Sequence, residues 1–133
     1  AEELSRQAIT AAPHAERYLI LADALRAQGR ETEARAAEGL FESLSLTNMF
    51  SSDNENHDLV LYYLERRDEP AKALEIARRE AGVRRDNHTL DRLALALHRN
   101  GRIRQARRLE QQVLATGTLD LLIARHAEQI GPN

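Results

Sequence analysis

Five histidines, twenty-one carboxylates and no cysteine are the side chains of this 133-residue sequence best suited to metal or acid–base chemistry. A helical two-histidine metal site needs its ligands one turn apart, at i and i+4, so that both imidazoles reach one cation. His88 and His98 are ten residues apart, which is roughly 15 Å along a helix at a rise of about 1.5 Å per residue. The other histidines are isolated along the chain, so the spacing predicts solvated or partner-facing imidazoles and no bound metal. Ser51 and Ser52 precede His57 by a few residues, but no Gly-x-Ser-x-Gly elbow surrounds them, and their hydroxyls suit a turn. The six glycines are scattered instead of forming a phosphate loop. No catalytic constellation assembles, so the expectation is a chain without cofactor that is not an enzyme.

The elements that would position these residues are helices. Across 15–28, Tyr18, Leu21, Ala22 and Leu25 fall on one stripe before Gly29 supplies a left-handed stop. Helical spacing resumes over 31–44 with Ala34, Ala37, Leu40, Phe41 and Leu44. The same order returns as 90–99, a turn at Asn100 and Gly101, and 103–115. Between these hairpins, 57–66 and 71–83 make another, with Asp68 placed as a helix cap and Pro70 in the first turn. Aligning Gly29 with Gly101 superposes Tyr18, Leu21, Ala22, Leu25 and Ala34 on Leu90, Leu93, Ala94, Leu97 and Ala106. Ala34 and Ala73 are 39 residues apart, Ala73 and Ala106 are 33 apart, and the excess falls in the polar stretch 46–56. The alanines are expected where helices cross, because small side chains permit close approach. With 42% hydrophobic and only 4% aromatic residues, the core must come from Leu, Ile, Val and Ala.

These residues resemble the tetratricopeptide repeat, whose unit of about 34 residues places an apolar slot, a Leu-small pair, a later Ala and a closing Pro at fixed offsets. The resemblance is close over 15–42 and 87–120. It is looser between them, where Leu61 takes a small-residue slot, the turn is Asp-Glu-Pro, and the register is open by one residue. It implies an all-α, right-handed α-solenoid of about eight helices in one domain over 1–133. Its parts would be the second helix of a partial repeat (1–14), a repeat (15–48), an inserted loop (49–56), a degenerate repeat (57–86), a repeat (87–119) and a terminal or capping helix (120–133). On that frame the chain is expected to be a segment of a longer protein.

The family lines a concave groove with its first helices. The matching slots here hold Glu16, Leu19, Asp23, Arg26 and Ala27, then Asp58, Tyr62, Glu65 and Arg66, then His88, Asp91, Leu95, His98 and Arg99. Leu19, Asp23, Arg26, Tyr62, Arg66, Asp91, Leu95, His98 and Arg99 are the candidate partner-binding residues, with Tyr62 in the core or the groove depending on register. Members that clamp C-terminal carboxylates use Lys and Asn in these slots, whereas Leu19, Asp23, Leu59 and His88 stand here. The expectation is a non-catalytic scaffold that binds a peptide or helix of another protein.

Charge adds two alternatives. Residues 1–65 carry 5 basic and 12 acidic side chains, and residues 66–108 carry 13 and 6. Arg78, Arg79, Arg84, Arg85, Arg102, Arg104, Arg107 and Arg108 supply most of the second set, a face for an acidic partner or nucleic acid, or a solvated face with pairs such as Glu75 with Arg79. Base-stacking aromatics are not interleaved, which makes nucleic acid the weaker of these. The other alternative is a structural repeat segment packed within a larger regulator or assembly factor and associating through its ends. No apolar run approaches 18 residues and no basic-then-apolar leader is visible, which fits a soluble chain in the cytoplasm or one exported after removal of a signal peptide.

Overall fold

The computed structural model describes residues 15–49 and 56–132. The partial repeat expected over 1–14 and residues 50–55 of the expected inserted loop lie outside them. The described residues form seven helices and no strand. These are α1 (Glu16–Ala27), α2 (Glu31–Thr47), α3 (His57–Leu61, continued by a π-helical turn over Tyr62–Arg66), α4 (Pro70–Val83), α5 (Asn87–Arg99), α6 (Ile103–Leu114) and α7 (Leu121–Ile130). The chain divides into two compact units, Ala1–Asn54 and Glu55–Asn133. The boundary falls inside the interval expected as a loop.

The first unit is a hairpin of α1 against α2. Helix α1 ends because Gly29 adopts φ 76°, which folds the chain back so that Gly29 N–H donates to Arg26 O (3.0 Å) and Arg30 N–H to Leu25 O (2.9 Å). Ala22 and Leu25 of α1 then meet Ala34 and Ala37 of α2 in one apolar cluster bordered by Leu21.

The second unit repeats that turn twice. At Gly101 (φ 80°) the two backbone bonds recur as Gly101 N–H to His98 O (3.0 Å) and Arg102 N–H to Leu97 O (2.9 Å). In the middle hairpin Asp68 takes the left-handed position at φ 50°, and Glu69 N–H donates to Tyr63 O at 2.8 Å. The residues that follow, Arg30, Glu69 and Arg102, share one conformation, with ψ of 66°, 71° and 62°. Asp68 is therefore not the helix cap that the sequence suggests: Glu69 precedes α4 without a side-chain cap, and Pro70 sits at its first position as expected. The left-handed residue lies four positions after Leu25 and Leu97 but five after Tyr63. The extra residue is absorbed by the π turn, which is why Tyr62, Tyr63 and Leu64 are all buried in succession.

Ala22, Ala34, Ala73, Ala94 and Ala106 each have 0% exposure, so the alanines expected at helix crossings are interior. In the second unit the helices pack α3 on α4, α4 on α5, α5 on α6 and α6 on α7, while α5 also packs on α3 and α7. Helix α5 is thus the centre of the unit and is buried nearly all round.

Candidate binding face and the buried charge cluster

Contacts at both ends of α3, α5 and α7 fix how these helices lie. At their N-terminal ends, His57 Nε2 lies 3.0 Å from Thr89 Oγ1, the His57 and His88 rings are 5.8 Å apart, and His88 Nε2 is 3.5 Å from Asp120 Oδ2. At their C-terminal ends, Arg99 donates to Leu64 O (3.4 Å) and to Gln129 Oε1 (3.3 Å). The three helices run side by side and parallel. Parallel neighbours bring like dipole ends together, and the side chains offset this. Asp86 and Asp120, 34 residues apart, cap α5 and α7: Asp86 accepts from Thr89 N–H, and Asp120 from Leu122 and Ile123 N–H. Those backbone bonds, first that from Ile123, hold the Asp120 carboxyl below its usual range. Burial alone would raise Asp86, but bonds from the Thr89 hydroxyl and amide outweigh it and the net shift is downward. Arg66 and Arg99 occupy the opposite, C-terminal turns. With their caps filled by carboxylates, the N-terminal ends of α5 and α7 are not anion sites.

The candidate partner-binding residues divide by burial. In the first unit Asp23 and Arg26 are exposed and Leu19 is half-buried. Arg26 is already engaged by Glu31 (2.8 Å) and Glu38 (2.6 Å), and the bond to Glu31 leads in raising its pKa. In the second unit Arg66 and Arg99 are exposed and His98 is half-buried. Burial, then the charges of Arg99 and Arg107, lower the His98 pKa, so the ring is more readily neutral than a free imidazole. Tyr62, Asp91 and Leu95 are buried, at 2%, 0% and 0% exposure; Asp91 and Leu95 therefore do not face a ligand as the slot alignment placed them, and Tyr62 takes the core position of the two left open. Tyr62 packs edge-on to Tyr63 and accepts from Arg67 Nη1 at 3.3 Å. Leu95 belongs to the enclosed α5, and Asp91 is covered by α7.

Asp91 belongs to a cluster that the sequence reading missed. Its Oδ2 lies 2.5 Å from His126 Nδ1 on α7 and accepts from Arg92 Nη1 at 2.9 Å. Glu110 on α6 neighbours Asp91 and Arg92. All four side chains are buried: Asp91 0%, His126 1%, Glu110 2% and Arg92 6%. His126 is therefore not the solvated imidazole that sequence isolation suggests; it sits between Ile123 and Ile130 on the inner stripe of α7. Glu110 occupies the stripe of Ala106 and Val113 on α6. A charged residue on an apolar stripe was the available signal.

The cluster leaves buried carboxyl oxygens without donors. Asp91 Oδ1 and both oxygens of Glu110 find no donor among the described residues. Two carboxyl groups meeting as acceptors are satisfied only when one carries the proton. Burial, followed by the bond to Asp91, pushes Glu110 up to about 9. Glu80 shows the other solution to burying a carboxylate, accepting from Asn56 at 2.7 Å and facing Arg84 at 2.9 Å. Among the described residues no group of three or more His, Asp or Glu is arranged to hold a metal ion, and no helix is long and apolar enough to cross a membrane.

Comparison with protein-family models, curated proteins and solved structures found no match to this chain.

Proposed function

We propose that this chain is a non-catalytic helical-repeat module, tetratricopeptide-like and right-handed in its solenoid, that holds a peptide or helix of another protein along the face of its first helices. One observation carries this reading: α3, α5 and α7 run parallel and in contact, each separated along the chain by a second helix packed behind, as repeated hairpins require. The three hairpin turns with matching backbone geometry support the same frame. Such a scaffold is ordered before its ligand arrives, so binding loses little entropy on its side. Arg66 and Arg99, exposed, and His98, half-buried, are its polar contacts in the second unit.

The test is selection of peptides from a displayed random library against the whole chain, followed by affinity measurements on Arg66→Ala, His98→Ala and Arg99→Ala. Weakened binding of selected peptides with unchanged helicity and melting is the expected result. Failure to enrich any peptide, or affinities indifferent to all three substitutions, removes the reading.

A second reading has its own observation. Arg102, Arg104 and Arg108 on and beside α6 are exposed and make no ion pair among the described residues, whereas Arg79 and Arg84 are paired with Glu75 and Glu80. An acidic partner or nucleic acid bound there would dissociate steeply with added salt. Affinity for a heparin or nucleic-acid resin that ignores Arg104→Ala and Arg108→Ala would dismiss it.

A further inference from the structure

The charge cluster joins three helices through side chains from each. Glu110 on α6 faces Asp91 and Arg92 from α5, and His126 from α7, the other element packed against α6, lies against Asp91. With Glu110 neutral, its hydroxyl donates to Asp91 Oδ1, while Asp91 Oδ2 receives Arg92 and the His126 Nδ1–H. Asp91 Oδ1 then has a donor, one Glu110 oxygen has become that donor and only the other is left without one, and the opposite charges of Asp91 and Arg92 stay paired. With Glu110 ionised, two carboxylates face each other inside the protein against a single guanidinium. That state is costly unless water reaches the carboxylates.

Helices α5 and α6 are joined by the Gly101 turn and pack on one another, with Ala94 and Ala106 both fully buried. Helix α7 is the shortest of the three and is held by Ile123, His126 and Ile130, by the Arg99–Gln129 and His88–Asp120 contacts at its ends, and by Arg107 Nε, which donates to Ile130 O at 3.1 Å. It also carries the imidazole that covers Asp91.

We propose that α7 is a proton-latched strap: a carboxyl–carboxylate hydrogen bond between Glu110 and Asp91 keeps the cluster neutral, and loss of that shared proton undocks α7 from α5 and α6. Undocking exposes Asp91, one of the first-helix slots that the strap covers. The latch stands whether or not the first-helix face binds a peptide. The raised Glu110 pKa sets the range in which it opens: stabilisation from the proton is complete below the ordinary carboxylate value and is lost as pH rises through about 9.

The experiment is amide hydrogen exchange on the intact chain at about pH 6 and about pH 10, corrected for the intrinsic base-catalysed rate. Protection of α7 amides is expected to fall by at least about tenfold at the higher pH while α4 and α6 keep theirs, and Glu110→Gln, which stays neutral and still donates, is expected to flatten the response. Equal protection at both pH values, an equal fall in Glu110→Gln, or a fall shared by every helix overturns the latch. Should Glu110→Gln fail to fold, the carboxyl carbon resonance of Glu110 in the unsubstituted chain decides: titration above about pH 7 upholds the shared proton, and titration below it refutes it.

Discussion

Asp68 does a glycine's work without being one. Gly29 and Gly101 fill the left-handed position in the outer turns with φ of 76° and 80°, and Asp68 fills it in the middle at φ 50°. A side chain with a β-carbon pays for that conformation, aspartate less than most. Asp68→Gly is expected to leave the fold intact and raise stability by roughly 0.5–1 kcal/mol in thermal melting, while Gly101→Ala lowers it by about 1 kcal/mol. No atom outside the local chain lies within 4 Å of a β-carbon at Gly101, so the loss would be purely conformational. The role of Gly29 and Gly101 was legible because glycine after a helical stripe has one common use. That of Asp68 was not, because aspartate caps helices more often than it turns them. His126 and Glu110 were obscured for a related reason: each lies on an apolar stripe, and only tertiary packing shows that Asp91 meets both.

At the scale of elements, spacing told most of the story and a π turn told the rest. Helices α1, α2, α5, α6 and α7 begin and end near the positions where stripes and breakers put them. The middle hairpin stayed open by one residue because one residue is in fact inserted, in the π turn over Tyr62–Arg66. A widened turn has no composition of its own, so periodicity could register the slip without locating it. It also settles Tyr62 in the core. The caps make a sharper prediction: Asp86→Ala, which removes the acceptor for Thr89 N–H and hydroxyl, should cost about 1 kcal/mol in denaturant titration of the intact chain. An unchanged midpoint would mean that the Thr89–His57 contact carries the N-terminus of α5 alone.

For the whole molecule, division into two compact units has an energetic consequence. Ala22 and Ala34 are interior to the first unit, and Ala94 and Ala106 to the second. Enlarging a crossing alanine forces helices apart, so Ala22→Leu should cost about 1–3 kcal/mol, confined to the first unit. Hydrogen exchange would then quicken in α1 and α2 while α5 and α6 keep their protection. Quickening throughout would show that the units unfold together. Serial hairpins were legible in the sequence because each repeats the same small-residue spacing. Exposure was legible only in part: Arg66 and Arg99 are exposed, but Asp91 and Leu95 passed inside because α5 is enclosed by four neighbouring helices.

The parallel course of α3, α5 and α7 gives their face a sense of travel. One margin gathers Asp86 and Asp120, the other Arg66 and Arg99. A strand-like guest laid across the helices would meet the same margins whichever way it pointed, but a helical guest laid along them would feel its own axis aligned or opposed. Under the binding reading proposed above, its amino end, the positive end of its dipole, is drawn to the aspartates and its carboxyl end to the arginines, so the favoured guest runs parallel to α5.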